Sequence, residues 1–137
     1  MIQRISHTSV LVLDQEQARD FYVNKLGFEV IDDATMGDFR WLTVAPKGQR
    51  DLAIILMPLK PSQMWDQATV DTLKKLVTSG KCGGGVLEVD DCRKTYDELK
   101  AKGVTFRMAP QERPYGIEAL LVDNSGNWFS VVERPKK

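Results

Sequence analysis

Hydrophobic positions along the chain change period in a fixed order, and that order occurs twice. Residues 4–13 hold a short β-branched and apolar run with its polar members early, Ile5-Ser6-His7-Thr8-Ser9-Val10-Leu11-Val12-Leu13, which predicts a half- to fully-buried strand. Asp14 stands where a helix N-cap belongs. Ala18, Phe21, Tyr22, Val23 and Leu26 then recur close to helical spacing and form a stripe that can lie on a sheet. Gly27 ends that helix as a C′ residue. Residues 28–32, 39–45 and 51–58 predict three strands, separated by the turn sequences Met36-Gly37-Asp38 and Pro46-Lys47-Gly48-Gln49.

The same progression restarts at Cys82-Gly83-Gly84-Gly85. Residues 86–90 predict a strand, Asp91 an N-cap, and Tyr96 and Leu99 the inner stripe of a helix over 92–102 that Gly103 terminates. Strands over 104–108, 117–123 and 128–133 complete it, the last two joined by the turn sequence Asn124-Ser125-Gly126-Asn127. Val12-Leu13-Asp14 aligns with Val89-Asp90-Asp91, and Gly27 with Gly103, in registers that differ by one residue. On the first register His7, the only histidine, faces Gly84. Between the repeats, Pro61 and Ser62 open a helical stretch whose Trp65, Val70, Leu73, Leu76 and Val77 share a face, closed by Gly80. The fold class expected is α+β: two tandem βαβββ modules, about 1–58 and 82–137, joined by a helical linker over 59–81 within one domain spanning 1–137.

Composition narrows the function classes. A chain of 137 residues suits one domain in which two halves share a core, each half being marginal alone. Its 19 basic and 19 acidic residues leave no net field for nucleic acid or an anionic membrane. No apolar run approaches the roughly 18 residues of a membrane span, and Met1-Ile2-Gln3-Arg4 leads directly into a strand, so the expected compartment is the cytoplasm. Cys82 and Cys92 fall at opposite ends of one predicted strand, about 30 Å apart, which is too far for a disulfide. They are expected as free thiols. Cys92 opens a helix, where a thiolate is favoured, and is a weak candidate nucleophile. No phosphate-binding loop, nucleophile elbow or paired-cysteine metal motif is present.

The chain resembles the vicinal oxygen chelate superfamily, which includes glyoxalase I, extradiol dioxygenases and bleomycin-resistance proteins. The resemblance is carried by His7-Thr8, by Phe21-Tyr22 with Leu26-Gly27-Phe28, by Glu88-Val89-Asp90-Asp91 with Leu99 and Gly103-Val104, and by Asp123-Asn124-Ser125-Gly126-Asn127-Trp128. It implies that the paired modules curl into a cupped, mostly antiparallel sheet whose concave face holds a divalent metal or a small ligand, within one chain or across a homodimer. It also implies where metal ligands stand in the family's enzymes, positions that fall here on His7, Ile55, Gly84 and Ser130. Only His7 ligates strongly. Glu133 lies on the opposite face of a period-two strand from Ser130 and cannot substitute. A single histidine excludes a site needing two imidazoles from one chain, so the resemblance points to the metal-free branch, without a cofactor.

Strand period then selects the concave lining. Ser9 and Leu11 accompany His7; Val86 and Glu88 accompany Gly84; Ala53 and Met57 accompany Ile55; Trp128 and Val132 accompany Ser130. Candidate ligand-binding residues are therefore His7, Ser9, Trp41, Ile55, Met57, Gly84, Glu88, Tyr115, Trp128 and Ser130, with Tyr115 and Glu118 at the mouth if the 110–115 loop folds over the cup. Several have a plainer reading. The glycines serve equally as a bulge, the tryptophans and His7 as packing, and Glu88 as a solvated rim carboxylate. On the concave face Glu88 would need a partner, for which His7 and Arg107 are available. The function expected is metal-free binding of a small, partly aromatic or apolar molecule. The alternative is an enzyme of the lyase, isomerase or dioxygenase type, with a non-standard metal site or acid/base chemistry through His7 or Glu88.

Overall fold

The computed structural model describes residues 1–136. The chain divides into two compact units, Met1–Lys75 and Leu76–Lys137, and each holds one four-stranded mixed sheet of the same connectivity.

In the first unit the elements are β1 (His7–Val12), α1 (Gln15–Asp20), β2 (Phe28–Met36), β3 (Phe39–Pro46) and β4 (Ala53–Pro58), followed by α2 (Gln67–Thr78), which runs past the unit boundary. The sheet order is β1-β4-β3-β2, with β1 parallel to β4 and the other pairs antiparallel. Asp14 caps α1 as expected, its Oδ1 accepting from Gln17 N at 2.8 Å. The helix does not run unbroken to Leu26, because Phe21–Lys25 is wound as a π-helical turn. That widening still brings Phe21 and Tyr22 into the core, where Tyr22 meets Phe28 at 5.7 Å between ring centres. Alternate residues Val10, Val12, Leu42, Val44, Ile54 and Leu56 are buried on one face of the sheet. Gln15, the first residue of α1, donates to the carbonyls of both Arg40 and Leu56, at 3.1 and 2.8 Å. Direct pairing of β3 with β4 is confined to Thr43↔Ile55 and Val44↔Ile54, so the side-chain amide satisfies backbone acceptors that the ladder leaves open.

In the second unit β5 (Gly83–Glu88), α3 (Cys92–Ala101), β6 (Thr105–Arg113), β7 (Gly116–Val122) and β8 (Trp128–Glu133) give the order β5-β8-β7-β6, again with one parallel pair, β5 with β8. Asp91 caps α3 through Lys94 N at 3.0 Å. Ala119, Leu121, Phe129 and Val131 form the buried face, and Tyr96 of α3 meets Phe106 of β6 edge-on at 4.6 Å. The stretch expected as a loop over 110–115 is instead the end of β6 and a tight turn, and β6 absorbs Pro110 through register irregularities between Phe106 and Gln111. Trp65 lies ahead of α2, not on it. Among the described residues no helix is long and apolar enough to cross a membrane.

A bulge in β5 changes what the triple glycine does. Register shifts between Gly83 and Gly85, and Gly84 is the extra residue. A Cβ on Gly84 would lie 2.2 Å from Cζ of Phe129, a ring on the buried face. Gly84 is therefore turned away from the side shared by Val86 and Ser130, which are direct partners. The sequence placed it on that side because alternation was counted through a strand that skips one residue. Gly84→Ala is expected to cost about 1–3 kcal/mol by overpacking Phe129, measured as a lowered urea midpoint at unchanged slope. A variant as stable as wild type would contradict the close approach.

Candidate functional site

Each sheet has a second face, formed by the residues alternating with the buried set, and the strand candidates other than Gly84 fall there in two groups.

In the first unit β1 and β4 pair in register, so Ser9 sits beside Ile55 and Leu11 beside Met57, while Ile55 also pairs with Thr43. Ile55 and Met57 are half-buried and Ser9 is exposed. His7 is half-buried, with its Nδ1 2.9 Å from Ser6 Oγ, and its ring meets Trp41 edge-on at 5.2 Å with an interplanar angle of 63°. Phe39 tilts against the same indole at 6.5 Å. The geometry thus joins His7 and Trp41 into one aromatic group, a contact the sequence did not reveal because the two stand on different strands. Thr43 is fully buried. Its hydroxyl accepts from Asp32 N at 3.0 Å and donates to Asp32 Oδ2 at 3.3 Å, holding the irregularity of β2 next to Ile31. On β3 the Arg40 guanidinium grips Asp33 with two bonds, 2.9 and 2.8 Å, and also reaches Glu16. These partners raise the Arg40 pKa, and the Arg40 bond lowers that of Asp33.

The second unit carries a polar group that sequence reasoning left incomplete. Ser130, 5 % exposed, donates to Glu118 Oε2 at 2.5 Å, and Tyr115 OH donates to Glu118 Oε1 at 2.7 Å. Arg113 Nε stands 3.7 Å from the same oxygen. The Ser130 and Tyr115 hydroxyls hold the Glu118 carboxyl below its ordinary pKa, while the carboxylate holds the Tyr115 phenol above its own. From the sequence alone Glu118 is expected only at the mouth. The antiparallel β7–β8 register, with Leu120 opposite Ser130 and Glu118 opposite Val132, was the signal that puts it beside Ser130.

Other expectations need correction. Glu88 is exposed, and its partner is neither His7 nor Arg107 but Arg134, whose Nε lies 2.6 Å away. Arg107 donates instead to the carbonyl of Gly80 at 3.0 Å. Trp128 is half-buried, and Gly83 packs against its indole, where an added Cβ would stand 2.8 Å from the ring. Cys92 is buried, its thiol points to the Val131 carbonyl at 3.6 Å, and burial raises its pKa, the opposite of a helix-activated thiolate. Glu133 does lie on the other side of β8 from Ser130, where its carboxylate accepts from Cys92 N at 2.9 Å.

The positions at which the resemblance expects metal ligands offer one imidazole, His7, and one hydroxyl, Ser130, already donated to Glu118. Ile55 has no donor atom, and Gly84 is turned toward Phe129. Among the described residues no three His, Cys, Asp or Glu side chains converge. This donor set does not fit a resident divalent ion, which requires three or more convergent ligands.

Comparison with known proteins agrees with this architecture. Residues 4–131 match the family model described as Glyoxalase/Bleomycin resistance protein/Dioxygenase superfamily. The crystal structure of UcmS2 is 45% identical with a TM-score of 0.92, covering 96% of this chain and 98% of that one. TnmS3, described as an antibiotic binding protein from Streptomyces sp. CB03234, is 30% identical with a TM-score of 0.77, covering 98% of each chain. The uncharacterized protein YurT of Bacillus subtilis (strain 168) is 34% identical over 131 residues, 96% of this chain and 99% of that protein.

Proposed function

The chain belongs to the glyoxalase/bleomycin resistance protein/dioxygenase superfamily, and from that premise we propose that it is a small-molecule binding protein that holds a partly aromatic or apolar ligand without metal. The observation that carries this reading is the fate of the four positions at which the family's metalloenzymes hold their ion. Here they are His7, Ile55, Gly84 and Ser130, of which Gly84 faces Phe129 and Ser130 serves Glu118. What remains on the second faces is apolar area with a few fixed polar groups, the make-up of a site that binds and orients. The description of TnmS3 as an antibiotic binding protein supports the same class. Acid/base catalysis through Glu88 finds no support, since that carboxylate is solvated and paired with Arg134.

The test is a titration with planar aromatic compounds read by tryptophan fluorescence, with and without EDTA. Trp41 and Trp128 lie on the two sheets and Trp65 outside them, so Trp41→Phe and Trp128→Phe assign the quenching to a sheet. Saturable quenching indifferent to chelator is expected. One equivalent of manganese, iron, nickel or zinc in the purified protein, lost in His7→Ala together with binding, would overturn the proposal.

A further inference from the structure

We propose that Glu118 is the polar anchor of the ligand site and that it selects an uncharged molecule bearing a phenol-type hydroxyl; this rests on the binding reading above. Glu118 projects from the third position of β7, on the face opposite buried Ala119 and Leu121. Its neighbours in the ladder are Val132 directly across on β8 and Gln111 directly across on β6, with Leu120 and Ser130 in the next row. Its side chain, 17% exposed, is thus bounded by Val132 and Leu120 on an apolar flank and by Gln111, Ser130, Tyr115 and Arg113 on a polar one.

Acceptor capacity and charge together define what can dock. An ionised carboxylate offers about four lone-pair sites, and the hydroxyls of Ser130 and Tyr115 occupy one on each oxygen. Capacity therefore remains for a further donor. Arg113, 3.7 Å from Oε1, offsets part of the carboxylate's charge, so neither a cationic nor an anionic ligand gains much Coulomb energy there. A neutral donor is left as the best match. Among neutral donors, the more acidic hydroxyl makes the stronger charge-assisted bond to a carboxylate, which favours a phenol over an alcohol. The apolar flank suits the ring that carries such a hydroxyl.

The experiment uses the intact protein and four matched probes: 2-naphthol, 2-methoxynaphthalene, 2-naphthylmethylammonium and 2-naphthoate. Tryptophan quenching gives a Kd for each. 2-Naphthol is expected to bind about tenfold or more tightly than its methyl ether, the gain typical of a hydrogen bond to a charged group. The ammonium and carboxylate probes should show no such gain. In Glu118→Gln, which keeps shape and removes charge, the ratio of the two neutral probes should fall towards one. Equal binding of naphthol and ether by wild-type protein would overturn the anchor while leaving the binding reading intact, and that comparison stands even if the variant folds poorly. Preference for the ammonium probe would also overturn it. Failure of all four probes to bind would overturn the binding reading and the anchor with it.

Discussion

Asp123→Ala is expected to lower the unfolding free energy by about 3–5 kcal/mol, one of the largest single-site losses in this chain. Asp123 is 5 % exposed and organises the turn between β7 and β8. Its Oδ1 accepts from the backbone amides of Ser125, Gly126 and Asn127, each at 2.9 Å, and its Oδ2 from Asn127 Nδ2 at 3.0 Å. Ser125 and Asn127 are themselves buried. Truncation removes four hydrogen bonds, each worth roughly 1–3 kcal/mol if its donor stays dry, although Gly126 N keeps the Asp123 backbone carbonyl at 3.2 Å. Partial opening of the turn to water keeps the total below the sum. The turn has little room to relax, because Gly126 lies against the chain at Val77, where an added Cβ would come within 2.2 Å of the Val77 carbonyl oxygen. Urea unfolding measures the loss. A change under about 1 kcal/mol would show that water replaces the carboxylate without cost.

Phe129→Ala is expected to cost about 3–5 kcal/mol through lost burial and the cavity left behind. The ring is 1 % exposed in the row that Leu121 shares. It is also the surface against which Gly84 packs, so the two sites should not be additive. In a Phe129→Leu background the penalty of Gly84→Ala should shrink by about 1 kcal/mol or more, because the smaller side chain leaves room for the new methyl group. Strict additivity in that cycle would rule out the proposed contact as the reason for glycine at position 84.

The duplication was legible because it rests on signals that survive without tertiary information. Asp14 and Asp91 each precede an apolar stripe, and both act as caps. Gly27 and Gly103 end the two helical stretches with positive φ, 79° and 89°. The functional faces were legible only where strands are regular. On β8 alternation assigned Ser130 and Glu133 to opposite sides, and their partners Glu118 and Cys92 agree. On β5 the same counting failed at Gly84, since a bulge inserts a residue without altering composition. The Glu118–Ser130 contact depends on hairpin register, and the His7–Trp41 contact on side chains reaching along a sheet. Neither distance is written in the spacing of either strand. Glu88 looked like a polar residue stranded on an apolar face because Arg134, just beyond the last strand, had no assigned place.

The irregular strands β2 and β6 each stand at one end of their sheet, where an unpaired row of amides and carbonyls can recruit another chain. The misfit next to Ile31 and the exposed acids Asp32 and Asp33 spoil that template on β2. Pro110, the broken register around Met108 and the charged pair Glu112 and Arg113 do so on β6. Departures from ideal pairing at these two margins thus make each a poor template for a further strand, and both fall on the longest strands described, nine residues each.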